Sequence, residues 1–201
     1  MPKAIIIDYG VGNLLSLKCA LQKVGFNSKI RSSSLQLKDA DAFVLPGVGN
    51  FSVASKKLYP VKEEIIERVK EGVPIFGVCL GMQLFFSKSE EGEGEGLALF
   101  QGKNVRLPNA VKVPHMGWNT LRIVGQSEIF DGVGNESYVY FVHSLYPIPL
   151  DKKIVCAETE YGAVFASAIA KQNVYGTQFH PEKSGRTGLR ILGNFAEIVK
   201  R

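Results

Sequence analysis

Cys79 lies in the stretch Ile75-Phe76-Gly77-Val78-Cys79-Leu80-Gly81, where a buried apolar run is followed by a thiol with glycine at both second neighbours. This is a cysteine form of the small-x-nucleophile-x-small elbow, in which the reacting side chain stands on a sharp turn between a strand and a helix. Such a turn strains the backbone and crowds its neighbours, so Gly77 and Gly81 clear the space and the thiol is expected to stand up into solvent. Backbone amides and the dipole at the start of a helix favour the thiolate, the form that attacks a carbonyl carbon. A lone cysteine is more often a packing residue, but that reading gives the two glycines nothing to do. Cys19, inside a helical pattern, and Cys156, within Ile154-Val155-Cys156-Ala157, lack such a setting and are expected to pack in the interior.

A thiol nucleophile needs a base, and the chain has three histidines, His115, His143 and His180. His180 ends a strand pattern and is followed by Pro181 and Glu182. An extended backbone places the imidazole and the carboxylate on one side, so Glu182 can hold the ring in one tautomer. The alternative is a polar surface loop, against which stands a proline fixing the chain between a base and an acid.

The elements that must position these groups are legible as periodicities. Ala4 to Ile7 reads as a strand, and Leu14, Leu17, Leu21 and Val24 recur at helical spacing until Gly25. Ala42 to Leu45 is a second short strand; Ile65, Ile66 and Val69 mark a helix ending near Gly72; Pro74 to Val78 is a buried strand. This alternation predicts an α/β fold, a mostly parallel central sheet flanked by helices, with the active site outside the carboxyl ends of the strands. From about Val105 the runs are strand-like: Tyr138 to Val142, Ile154 to Ala157, Val164 to Ala170 and Val174 to Phe179. The second half is therefore expected to add antiparallel strands. A last amphipathic helix follows Gly188, with Leu189, Leu192, Phe195, Ala196 and Val199 inward.

At 201 residues, 45% hydrophobic and 21% charged, residues 1–201 read as a single globular domain. The formal charge of +5 is scattered among acids, with no basic run, so no nucleic acid is implied. The three cysteines lack the paired spacing of zinc or redox sites, and no metal or cofactor is implied. The apolar start is far too short for a signal peptide or membrane span, which predicts a cytoplasmic protein without a membrane partner. Ser89 to Gly96, SEEGEGEG, is expected to be a flexible solvated connection whose glycines leave its carboxylates unorganised. Lys183 and Arg186 are expected to be solvated or interface charges.

Together, GVCLG with Gln83 downstream, PGVGNF at Pro46 to Phe51 and QFHPEKS at Gln178 to Ser184 resemble the class I, triad-type glutamine amidotransferases. DYGVGN at Asp8 to Asn13, PHMGWN at Pro114 to Asn119 and YFVHS at Tyr140 to Ser144 resemble, within that class, the glutaminase subunits of imidazole glycerol phosphate synthase, in histidine biosynthesis. The likeness runs from end to end. It implies a flavodoxin-like domain that hydrolyses glutamine through a thioester on Cys79, with His180 as acid and base and Glu182 orienting it. It implies oxyanion donors from the backbone of Leu80 and of the Gly47-Val48-Gly49 strand, and contacts to substrate glutamine from Gln83, His143 and Ser144. It also implies a heterodimer with a (βα)₈ barrel cyclase that receives the ammonia through a channel, docked on Asn13 and on the loop-like block Pro114, His115, Met116, Trp118 and Asn119. Composition alone leaves Trp118 as ordinary core and His115 as an exposed turn residue equally open. The class motifs fix the chemistry and not the pathway, so the glutaminase of another synthase and a non-catalytic docking module are the alternatives to be separated.

Overall fold

The computed structural model describes residues 1–32 and 37–201. Lys3–Ile7 forms strand β1, Leu14–Lys23 helix α1, Asn27–Arg31 strand β2 and Ala42–Leu45 strand β3. Helix α1 begins at Asn13, whose side chain accepts from the Ser16 N–H at 3.2 Å and so satisfies one of the free donors of the first turn. Phe51–Lys70 forms helix α2, capped in the same way by Asn50 onto the Val53 N–H at 3.0 Å. It is longer than its apolar stripe at Ile65 to Val69 suggests, because Pro60 interrupts the pattern but not the helix.

Ile75–Val78 is strand β4, Leu80–Gln83 the single-turn helix α3, and Phe86–Ser89 and Phe100–Arg106 are strands β5 and β6. His115–Thr120 and Arg122–Ile123 are β7 and β8, Tyr138–His143 and Leu145–Pro149 are β9 and β10. Val155–Glu160, Val164–Lys171 and Val174–Thr177 are β11, β12 and β13, and Gly185–Val199 is helix α4. Helix α4 thus starts before Gly188, and its buried stripe gains Ile191.

The main sheet has eight strands in the order β2-β1-β3-β4-β13-β12-β11-β8. Its first five strands are parallel, in the flavodoxin-like order with β13 in fifth place, and the rest are antiparallel. Period-two alternation sends Ala4 and Ile6 to one face and Ile5 and Ile7 to the other. The first face packs against Leu17 and Leu21 of α1 and Ile191, Leu192 and Phe195 of α4; the second packs against Phe51, Leu58, Val61 and Ile65 of α2. Covering both faces is what lets parallel strands read as continuous apolar runs. A three-stranded sheet β10-β6-β5 and the pair β7-β9 complete the fold.

Two expectations are corrected here. The PHMGWN block is not a loop: from His115 onward it is β7, antiparallel to β9 with His115 opposite His143 and Trp118 opposite Tyr140. Cys19 is exposed on α1, while Cys156 is buried as expected. Among the described residues no helix is long and apolar enough to cross a membrane.

Candidate active site

Three adjacent strands, β3, β4 and β13, end at one edge of the sheet, and each delivers part of the site. After β4, Cys79 takes φ +52°, a conformation that costs a non-glycine residue energy and is held only by its surroundings. Its N–H is bonded to the Thr177 carbonyl at 2.7 Å, tying the elbow to β13. The flanking glycines are required sterically: a Cβ on Gly81 would lie 2.1 Å from the Leu45 carbonyl oxygen, and one on Gly77 2.6 Å from the Met82 nitrogen. The thiol does not stand in solvent. Cys79 is 5% exposed, with Sγ 3.6 Å from the Val142 carbonyl, because β9 and β10 fold over the elbow. The following helix is four residues long, so the dipole expected there reduces to the local amides.

After β13, the His180 N–H is bonded to the Tyr140 carbonyl at 2.9 Å, and its own carbonyl accepts from Ser184 Oγ at 2.6 Å. Pro181 opens a 3-10 turn, Pro181–Lys183, that swings Glu182 back so that Oε1 meets His180 Nδ1 at 2.8 Å. Both side chains are buried, at 2% and 4% exposure. His180 Nε2 makes no hydrogen bond of ordinary geometry, nor does Glu182 Oε2. Burial alone would lower the imidazolium, but the nearby Cys79 and then Glu182 outweigh it and raise His180 above its usual 6.5. The other two histidines go the opposite way. Burial lowers His143 to about 3, the neighbouring His115 and His180 adding to the effect, and burial lowers His115 to about 4. Only His180 is therefore basic enough to exchange protons near neutrality.

The third strand, β3, ends at Leu45, and Gly47, Val48 and Gly49 follow as a loop, not a strand. Val48 and Gly49 line a cavity of about 150 Å³ together with Cys79, Leu80, Gln83, Glu91, Pro114, Val142, His143, Ser144 and Leu145. That is below the roughly 300–1,000 Å³ of sites for drug-sized ligands and fits one small molecule. Gly47 is not in the lining; it is stacked on the elbow, where a Cβ would be 2.4 Å from the Gly81 nitrogen. Gln83 lines the cavity but its Nε2 is committed to the Leu145 carbonyl at 2.9 Å and to Gln178 Oε1 at 3.1 Å, leaving Oε1 free. A larger depression of about 670 Å³ lies around Thr120, Arg122 and Glu158, and its lining holds no cysteine, serine or histidine.

Of the residues expected to meet a partner, Pro114, Met116, Trp118 and Asn13 are exposed, Met116 at 63% and Trp118 at 56%. Asn119 is half-buried, its Nδ2 on the Glu160 carbonyl at 3.1 Å. His115 is corrected: it is neither surface nor turn but 3% exposed, stacked on Tyr161 at 4.0 Å and bonded to His143. Lys183 and Arg186 are exposed, Lys183 with its Nζ 5.9 Å from the Tyr140 ring centroid.

Three residues of the site escaped sequence reasoning. Gln178 donates to Cys79 Sγ at 3.4 Å. Glu91 is the one charged residue lining the cavity, and its carboxylate accepts from the Phe51 N–H at 2.6 Å, at the start of α2. The acidic segment is therefore organised: Glu90 likewise accepts from the Arg106 N–H, and Glu95 pairs with Lys62. Tyr9 is buried with its hydroxyl on the Pro46 carbonyl, anchoring the loop that carries Val48; burial and the nearby Cys79 push its phenol far up. The only signal for Gln178 and Tyr9 was membership of QFHPEKS and DYGVGN. Among the described residues no cluster of three metal-ligating side chains occurs.

Residues 5–199 match the family model for glutamine amidotransferase class-I. The chain is 48% identical to imidazole glycerol phosphate synthase subunit HisH of Caldanaerobacter subterraneus over 198 residues, covering 97% of this chain and 98% of that one. It is 46% identical to the subunit of the same name from Pyrococcus furiosus, over 98% and 100% of the two chains. Among solved structures it resembles PurLQS from Thermotoga maritima, with a TM-score of 0.80 at 18% identity over 98% of each chain. It also resembles a glutamine amidotransferase, with a TM-score of 0.78 at 20% identity over 98% of this chain and 99% of that one. Both structures share the mixed α/β architecture.

Proposed function

Since the chain belongs to the class-I glutamine amidotransferase family, we propose that it acts as the glutaminase subunit of imidazole glycerol phosphate synthase. The observation that carries the mechanism is a buried His180–Glu182 pair acting on a cysteine at positive φ, beside a cavity sized for one amino acid. The Cys79 thiolate attacks the side-chain amide carbon of glutamine, and the carbonyl electrons move onto oxygen. The Leu80 N–H, unpaired within its helix as a first-turn donor, and an N–H from the Val48–Gly49 loop, both residues of the cavity wall, are the donors assigned to that oxyanion. The raised basicity of His180 keeps it as imidazolium near neutrality, so it can hand a proton to the leaving nitrogen. Ammonia departs and a glutamyl thioester remains. Water then gives a proton to His180, oriented by Glu182, attacks the thioester carbon, and releases glutamate with the thiolate restored.

Substrate placement follows from the lining. Glu91, the charged wall, suits the α-ammonium group, while Gln83 Oε1, His143 and Ser144 surround the rest. The exposed Met116 and Trp118, with Pro114 and Asn13, supply an apolar and aromatic docking face for a (βα)₈ barrel cyclase. Ammonia passes to that partner for synthesis of imidazole glycerol phosphate and AICAR. Incubating the complex with a chloroketone analogue of glutamine tests the reading. Mass spectrometry should find the label on Cys79; no label under turnover conditions contradicts the reading and favours a docking module.

A further inference from the structure

Gln178 is fully buried on the strand-to-His180 segment, its N–H bonded to the Ser167 carbonyl at 2.9 Å, and it is absent from the cavity lining. Which end of its amide faces the sulfur is decided by its neighbours. The Leu145 carbonyl can only accept, so Gln83 must present Nε2 to it. The second hydrogen of that Nε2 needs an acceptor, which must be Gln178 Oε1, at 3.1 Å. Gln178 Nε2 is then left pointing at Cys79 Sγ, at 3.4 Å. The same carbonyl fixes a second arm. Leu145 accepts from His143 Nδ1 at 2.8 Å, so His143 Nε2 is an acceptor and His115 Nδ1, 3.0 Å away, is the donor. Both arms hold the Leu145 carbonyl that sets the direction of the amides.

The sulfur thus has an acceptor for its proton on one side, the Val142 carbonyl, and a buried amide donor on the other. Loss of the proton removes the first contact and strengthens the second, since hydrogen bonds to charged groups are about twice as strong as neutral ones.

We propose that Gln178 is a positioning residue for the nucleophile, its side-chain amide donating to the Cys79 thiolate and holding the sulfur in line for attack. This rests on the reading of Cys79 as the nucleophile. Gln178 does not line the cavity, and Gln83, which does, keeps its bond to the Leu145 carbonyl when Gln178 is replaced, so the loss falls mainly on chemistry and little on glutamine binding.

The test compares Gln178→Met, which keeps the shape without the donor, and Gln178→Glu, which puts an acceptor in its place, in the full chain with its cyclase partner. Gln178→Met should slow alkylation of Cys79 by iodoacetamide and lower kcat, each about 10- to 100-fold, as expected for one hydrogen bond to a charged group. KM for glutamine should stay within about threefold, and Gln178→Glu should lose progressively more as its carboxyl ionises. Folded variants that alkylate and turn over at wild-type rates overturn the proposal. Should either variant melt early, the wild-type chain answers instead: the Gln178 side-chain NH₂ proton resonances must move downfield as Cys79 deprotonates, and resonances that stay put overturn it. Failure of the underlying reading looks different, since Cys79→Ala would then retain glutaminase activity.

Discussion

Gly81→Ala probes how tightly the elbow is built. The new Cβ would lie 2.1 Å from the Leu45 carbonyl oxygen, 2.8 Å from its carbon and 3.0 Å from its Cβ. Carbon–oxygen contacts normally begin at about 3.3 Å, so strand β3 and the elbow must separate by roughly 1 Å. Neither side is a flexible side-chain end, so the strain falls in the range of about 1–3 kcal/mol for an overpacked core, or about 2–12 °C in Tm for a chain of this length. The same movement pulls apart the Cys79 elbow and the Val48–Gly49 loop, which follows β3 within a few residues. A misplacement of roughly 1 Å at reacting groups is enough for about 100-fold in rate. Thermal melting together with kcat in the presence of the partner gives both numbers. Gly193→Ala is the control: it sits inside α4 with only Val24 Cγ1 at 4.0 Å, and should gain about 0.5–1 kcal/mol with unchanged activity. Wild-type melting and turnover in Gly81→Ala would refute the steric account of the elbow.

Glu182→Gln keeps the shape of the carboxylate but removes its charge from His180, so kcat should fall about 10- to 100-fold and the high-pH edge of activity should move to lower pH. Stability should change by less than about 1 kcal/mol, because the lost charge had one oxygen buried without a partner; calorimetry measures this. Glu91→Gln should raise KM for glutamine about 10-fold or more with a smaller effect on kcat, read from steady-state kinetics. His143 and His115 are lowered from 6.5 to about 3 and about 4, so the unfolded chain binds their protons first as the pH falls. Their contribution is fully present above about pH 6.5 and is lost toward pH 4 and below; melting against pH should show that decline, and it should flatten in His143→Gln.

What could be read from the sequence was local in the chain. The elbow declares itself within Gly77 to Gly81, and the His180–Glu182 pair spans two residues. The parallel strands β1, β3 and β4 are continuous apolar runs because both faces are covered. What escaped depends on contacts between distant segments. Glu91 meets the Phe51 N–H across 40 residues, and Gln178 meets Cys79 across 99, so neither role has a local pattern. In and just before β7, Pro114, Gly117 and Asn119 mimic turn composition, and the strand exists because β9 pairs with it along its whole length. The first half of α2 was hidden by Pro60, which the helix accommodates while Phe51, Ala54 and Leu58 pack on the sheet. Burial of the thiol was also unreadable, since the β9–β10 turn that covers it begins more than 60 residues away.

The central claim is that Cys79, His180 and Glu182 form a glutaminase that serves a barrel cyclase. Glutamine hydrolysis should be measured for the purified chain alone and with the cyclase subunit carrying its nucleotide substrate. The account predicts a large rise with the loaded partner that Cys79→Ala abolishes. Hydrolysis that persists in Cys79→Ala, or no rise with a folded chain and an active partner, would contradict it.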